Sequence, residues 1–259
     1  MASVFAKLSR EIGKNGLLPT AQKSVRLLIS KPAMQIDRAF DKLLSTKTAT
    51  RWVQQRSSTL AESILSRQEA GNDDYKNYLA LQVHKSYRNS SYLRFWRFWG
   101  RTGLIERLNE ILPKERTNLA ILCVGCRDTR ELNNVARICK LKNITGVDLF
   151  SKDPRIDIGD MHNLSYSDNQ FDLMMSVDSL EHSFDPAKAL SEFRRVVKTG
   201  GLIGIELPVN FTPDEVDRYD CKSLDDLLNT AKLPKDSVVH FEQFEKADHQ
   251  KIRVIVRNT

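Results

Sequence analysis

Two acidic residues stand directly behind short apolar runs, Asp148 in NITGVDLF and Asp160 in RIDIGDMH. A carboxylate just past the carboxyl end of a buried strand is placed to accept hydrogen bonds from a bound molecule. Asp148 follows the preceding glycine loop by roughly 20 residues, the spacing at which an acid accepts both hydroxyls of a ribose. Asp160 is placed to accept from an exocyclic amine, with Met161 beside it offering a backbone N–H and an apolar wall. Gly125 ends the apolar run NLAILCVG. A glycine there lets the backbone approach a ligand closely, and the first turn of the helix after it has free N–H donors. These residues imply a nucleoside site, and a dinucleotide-binding dehydrogenase fits them as well.

Two histidines follow in the same stretch, His162 in GDMH and His182 in SVDSLEH, the latter with Asp178 and Glu181 beside it. Either can serve as a general base for an acceptor hydroxyl or as a histidine that hydrogen-bonds loop backbone. Glu206 and Asn210 fall at a later strand end, where they touch substrate or solvent. Cys123 and Cys126 form a C-x-x-C, but Cys123 lies inside an apolar run and no second Cys or His pair has ligand spacing. The expectation is a buried thiol plus a loop thiol and no metal.

These positions need strands and helices to bring them together. Strands are expected at Asn118 to Gly125, Asn143 to Phe150, Arg155 to Ile158, Phe171 to Val177 and Leu202 to Leu207. Ser237 to Glu245 and Gln250 to Arg257 read as a terminal antiparallel hairpin. Between them Thr129 to Leu141 and Asp185 to Val197 have helical spacing, the second with Pro186 in its first turn. Lys198 to Gly201 reads as a turn and Pro213 to Ala231 as a helix. Alternation of this kind gives an α/β fold, a doubly wound, mostly parallel seven-stranded Rossmann-like sheet. The gap from Phe150 to Arg155 is too short for a crossover helix, which leaves the third strand vestigial.

Residues 1–117 read differently. Helices are expected at Ala21 to Leu28, Ala33 to Leu44, Ala49 to Gln68 and Asp74 to Leu112, the last broken near Asn89–Ser91 and Gly100–Gly103. This segment holds 21 Lys and Arg against 10 Asp and Glu, whereas residues 118–259 hold 19 against 23. A basic helical cap on 1–117 and a sheet domain on 118–259 is the division this suggests. Within the first, Tyr92, Phe95, Trp96 and Trp99 share one helical face and Arg94, Arg97 and Arg101 another. That pattern suits a docked aromatic face, a lid over an anionic acceptor, or contact with a nucleic acid or membrane surface. No apolar run reaches the length of a membrane span, and MASVFAKLSREIGK has no apolar signal core, so the expected location is cytoplasmic.

The order of three pieces, ILCVGCRDTREL, then GVDLF, then GDMHNLSYSDNQFDLMMSVDSLEHSFDPAKALSEFRRVVKTGGLIGIELP, resembles the class I methyltransferases that use S-adenosylmethionine, particularly the broad small-molecule group. The resemblance runs from Asn118 to Pro208. It implies that Gly125, Cys126 and Arg127 cover the methionine part of the cofactor, with Arg127 able to meet its carboxylate. Asp148 would hold the ribose and Leu149 pack on adenine, Asp160 and Met161 would meet the adenine amine and ring, and Ser176 and Val177 would line the cofactor near the methyl. His182, and behind it His162, are the candidate bases. It implies methylation of a small-molecule or saccharide hydroxyl. An RNA or other polyanion as acceptor, or a non-catalytic relative, are the alternatives. The family's first loop usually carries several glycines, and here only Gly125 remains, which puts the affinity of that loop in question.

Overall fold

The computed structural model describes residues 73–89, 102–115, 118–126, 129–151, 153, 155–246 and 249–259. The helices expected before residue 68, the aromatic and arginine faces between Tyr92 and Arg101, and Arg127 lie outside the described residues. All described residues belong to one compact unit. Its elements are α1 (Asp73–Asn89), α2 (Gly103–Ile111), β1 (Ile121–Val124), α3 (Thr129–Cys139), β2 (Ile144–Asp148), β3 (Ile156–Ile158) and β4 (Phe171–Val177). They continue as α4 (Pro186–Val196), β5 (Val197–Pro208), α5 (Leu224–Ala231), β6 (Val238–Lys246) and β7 (His249–Arg257).

The seven strands lie in the order β3-β2-β1-β4-β5-β7-β6. β1 pairs in parallel with both β2 and β4, so strand order reverses between β1 and β4. β7 runs antiparallel to both β5 and β6, which closes the expected hairpin onto the sheet. The sheet is a doubly wound, mostly parallel α/β sheet with helices on both faces. In β1 the side chains alternate: Ile121 and Cys123 pack under α2 and α3, Leu122 and Val124 under α4 and α5. Burial on both faces is why these strands read as continuous apolar runs. α2 sits unusually close to β5, because a Cβ at Gly204 would lie 3.2 Å from Leu104 Cδ1.

Several residues of the quoted pattern prove to be architectural. Asp172 accepts from the Ala120 N–H at 2.9 Å and pairs with Lys198 at 2.7 Å, tying β4 to the entrances of β1 and β5. Arg195 on α4 donates to the carbonyls of Tyr166 (2.7 Å) and Leu164 (2.8 Å) and pairs with Glu192 and Asp168. It anchors the segment after Asp160 to the helix layer.

Two expectations need correction. Lys198 to Gly201 does not leave the sheet as a turn but is part of β5, where Val197 pairs with Phe171 before a bulge resets the register. Helix is confined to Leu224–Ala231 instead of beginning at Pro213. The reason is local competition: Asp214 Oδ1 accepts from the N–H groups of Val216 and Asp217, while Arg218 and Tyr219 donate theirs to Glu181 O. Cys126 lies in the loop after β1, buried like the other three free cysteines, and burial pushes its pKa up. Between β2 and β3, the described residues carry no helix, as the short gap requires.

α5 begins at Ser223, whose Oγ accepts from the Asp226 N–H at 3.1 Å. Ser223→Ala should lower the free energy of unfolding by about 1 kcal/mol. It should move the urea midpoint without altering binding in the crevice described next, and an unchanged midpoint would contradict the capping role.

Candidate functional site

The reversal between β1 and β4 opens a crevice at the carboxyl ends of the strands, where ligands bind in such sheets. Gly125 ends β1 with φ +74, and its N–H donates to Val147 O at 2.8 Å. Its backbone runs against Ser179, since a Cβ there would lie 2.0 Å from Ser179 Oγ. Only glycine accepts both that dihedral and that contact. Asp148 ends β2 and lines the crevice with Leu149, and its Oδ1 accepts from the Phe150 N–H at 3.1 Å. Gly159, Asp160, Met161 and His162 form the wall after β3. Asp178, Ser179 and His182 come from the segment after β4, and Tyr78 and Gln82 reach over from α1.

The two expected acids therefore face one space, together with Gly125, Leu149 and Met161. Three expected cofactor residues do not line it. Cys126 packs in the layer under α3, with its Sγ 3.9 Å from Val147 O. Val177 packs in the same apolar layer, and Ser176, with its side chain on the opposite side of β4, is 1% exposed. One residue further along the chain lies the turn that does reach the crevice, at Asp178 and Ser179.

The two histidines have different surroundings. His162 Nε2 accepts from the Asp185 N–H at 3.2 Å and lies 2.8 Å from Ser183 Oγ. Because that backbone group can only donate, Nε2 is the bare nitrogen and Nδ1 carries the proton toward Asp160 Oδ1, 2.6 Å away. Both ring nitrogens are spent on protein partners, which corrects the expectation of His162 as a base. His182 lines the crevice, and its Nδ1 lies 2.6 Å from Asp217 Oδ1.

Asp160 is nearly sealed. It is 1% exposed, accepts from the His162 N–H at 2.9 Å through Oδ1, and accepts from Tyr75 O–H through Oδ2. Burial penalises the charged carboxylate, but hydrogen bonds from the His162 ring, the His162 N–H and the Tyr75 hydroxyl more than offset that and hold its pKa below the usual range. Burial and the Asp160 charge push the Tyr75 hydroxyl pKa up, so it remains a donor. Tyr78 donates to His182 O and Gln82 Nε2 to Val216 O, the latter at 2.7 Å. Asp217, Tyr75, Tyr78 and Gln82 had no sequence signal as site residues. Three lie on a helix remote in sequence from the sheet, and Asp217 lies in a segment with helical composition.

Chemically, the crevice offers a glycine backbone edge, two strand-end carboxylates, an apolar wall at Leu149 and Met161, and a histidine–carboxylate contact. These suit the parts of an adenosine and its amino-acid tail. The fold is of the doubly wound α/β class, with its crevice at the strand ends.

Residues 122–205 match the family model described as Methyltransferase domain. No curated protein matches the chain. Among solved structures, the 1,6-didemethyltoxoflavin N1-methyltransferase of Burkholderia thailandensis superposes with a TM-score of 0.54 at 16% identity, covering 73% of this chain and 91% of that one. Phosphoethanolamine N-methyltransferase 2 of Haemonchus contortus gives a TM-score of 0.47 at 17% identity, covering 61% and 53% respectively. Residues 122–205, about a third of the chain, are thus similar to a methyltransferase domain, and the superposition with the Burkholderia thailandensis enzyme shows a shared fold. Among the described residues no helix is long and apolar enough to cross a membrane.

Glu181 lies under this site, 4% exposed, and burial pushes its pKa from 4.5 up to about 7. A carboxyl group whose folded pKa is raised binds more protons folded than unfolded. Its contribution to stability is therefore lost as pH rises from about 4.5 through about 7. Glu181→Gln, which cannot ionise, should lose less stability than the parent between pH 5 and pH 8 in denaturant titrations. A difference between the two proteins that stays constant with pH would contradict the shift.

Proposed function

We propose that the chain uses S-adenosylmethionine to methylate a hydroxyl of a small molecule or saccharide, with His182 as general base. When bound, the cofactor supplies an electrophilic methyl on a sulfonium. The protein's task is to align the acceptor oxygen with that methyl and to remove a proton. The observation that carries the reading is the His182–Asp217 contact at the crevice. The contact lacks hydrogen-bond alignment, but a carboxylate charge that close favours the tautomer with its proton on Nδ1, leaving Nε2 as the proton acceptor. A thiol or a strongly nucleophilic amine needs no such base, whereas a hydroxyl does.

In this reading Asp148 takes the ribose hydroxyls, Asp160 the adenine amine and Met161 the ring edge, with the Gly125 backbone along the methionine portion. Arg218 lies over the rings of Tyr78 (5.5 Å) and Phe184 (4.9 Å), close to the His182 segment. It is the described cation that suits an anionic acceptor such as a phosphorylated or nucleotide-linked sugar.

Asp148→Ala should weaken S-adenosylhomocysteine binding at least tenfold, about 1.4 kcal/mol, in calorimetry, and unchanged affinity would remove Asp148 from the ribose role. His182→Ala should keep cofactor affinity nearly intact while lowering turnover, read as S-adenosylhomocysteine released with a panel of sugar acceptors. Asp217→Asn should lower turnover and change its pH profile. Normal turnover in His182→Ala would end the base assignment.

A further inference from the structure

α1 lies across the crevice and makes three hydrogen bonds to it from one face. Tyr75, Tyr78 and Gln82 follow helical spacing, and they bond Asp160, the His182 carbonyl and the Val216 carbonyl. The same face buries Leu79 and Val83 completely, and Tyr75 and Tyr78 pack edge-on against the His162 ring. The cavity left beneath is about 40 Å3. Sites for small-molecule ligands measure roughly 300–1,000 Å3. The donor and acceptor groups of the crevice fit an adenosyl cofactor, but the space with α1 seated does not.

Asp160 shows where the conflict is sharpest. Oδ1 accepts twice from His162, and Oδ2 accepts from the Tyr75 hydroxyl. With the residue 1% exposed, no open approach remains for another donor. We infer that α1 is a gate in competition with the cofactor: the Tyr75 hydroxyl holds the carboxylate oxygen that the adenine amine takes, so the seated helix and bound adenosine exclude one another. This rests on the adenosine-binding role of Asp160 given above. The gate also reaches the acceptor side, because the helix that holds Asp160 through Tyr75 holds the His182 turn through Tyr78. Cofactor entry then releases both halves of the site together. A protein whose competent state is only partly populated binds more weakly by that fraction, so loosening the latch raises apparent affinity.

The test is calorimetry on the full chain with S-adenosylhomocysteine and with S-inosylhomocysteine, in which a carbonyl oxygen replaces the amine. Tyr75→Phe keeps the ring packing and removes the donor. It should bind S-adenosylhomocysteine and S-inosylhomocysteine both about tenfold more tightly, the scale of one hydrogen bond to a charged group, because both need α1 unseated, while the preference for the adenosyl ligand reports the Asp160–amine contact. In the unsubstituted protein, adding S-adenosylhomocysteine should speed amide hydrogen exchange in residues 73–89 while slowing it around residues 146–162. Equal or weaker binding by Tyr75→Phe, or slower exchange in 73–89 on binding, overturns the gate. If neither protein binds S-adenosylhomocysteine at millimolar concentration, the cofactor assignment fails first, and the gate with it.

Discussion

A buried carboxylate must be compensated or it will not stay ionised, and Asp160 imposes that constraint on everything around the crevice. Its partners come from three places: His162 two residues on, the Ser183–Asp185 segment that orients His162, and Tyr75 on a helix 85 residues earlier in the chain. Removing any of these leaves a charge in a space that excludes water. The network thereby fixes the loop after β3, the turn after β4 and α1 in one arrangement. Loops usually sit at the low-stability end of a structure. Here the loop after β3 is held at one end by Asp160 and at the other by Arg195, which takes the Leu164 and Tyr166 carbonyls.

The same division between holding the site and forming it runs through the residues that looked most informative in the sequence. Asp172 and Arg195 do not approach the crevice, yet they close the strand entrances and the post-Asp160 segment against α4. Gly204 is set by how closely α2 approaches β5. Such residues make a sequence recognisable because they satisfy fixed backbone positions, whatever molecule the protein acts on. That is why a likeness to a methyltransferase domain is legible in the chain, whereas no residue of this kind records the acceptor.

The strands and the helices between them were legible because burial on both faces writes continuous apolar runs, and Asp185 with Pro186 and Ser223 with Asp226 mark where helices start. Lys198 to Gly201 was misread because two adjacent glycines normally signal a turn, whereas here they continue β5 past a bulge. The segment before α5 was misread because its acids bond nearby backbone N–H groups, a choice composition does not reveal. Asp148, Asp160, Leu149 and Met161 line one crevice, and strand ends are easy to locate in a sequence. Ser176 and Val177 missed by one or two residues, since the last side chains of β4 belong to its packing layers and the crevice begins at the turn.

The pair of histidines shows where sequence reading stops. Both follow strand ends, both lie beside acids, and both reach the crevice wall. His162 meets an N–H donor on one nitrogen and a carboxylate on the other, so its proton is fixed and its role is to hold Asp160. His182 meets a carboxylate on Nδ1 only through Asp217, brought close because Arg218 and Tyr219 donate their N–H groups to Glu181 O. The difference between the two imidazole environments thus depends on backbone groups from elements 20 to 40 residues away. Backbone groups have no residue identity, so no spacing rule records them. The chemistry of this site is decided by where main-chain donors fall, and that becomes visible only once the chain is folded.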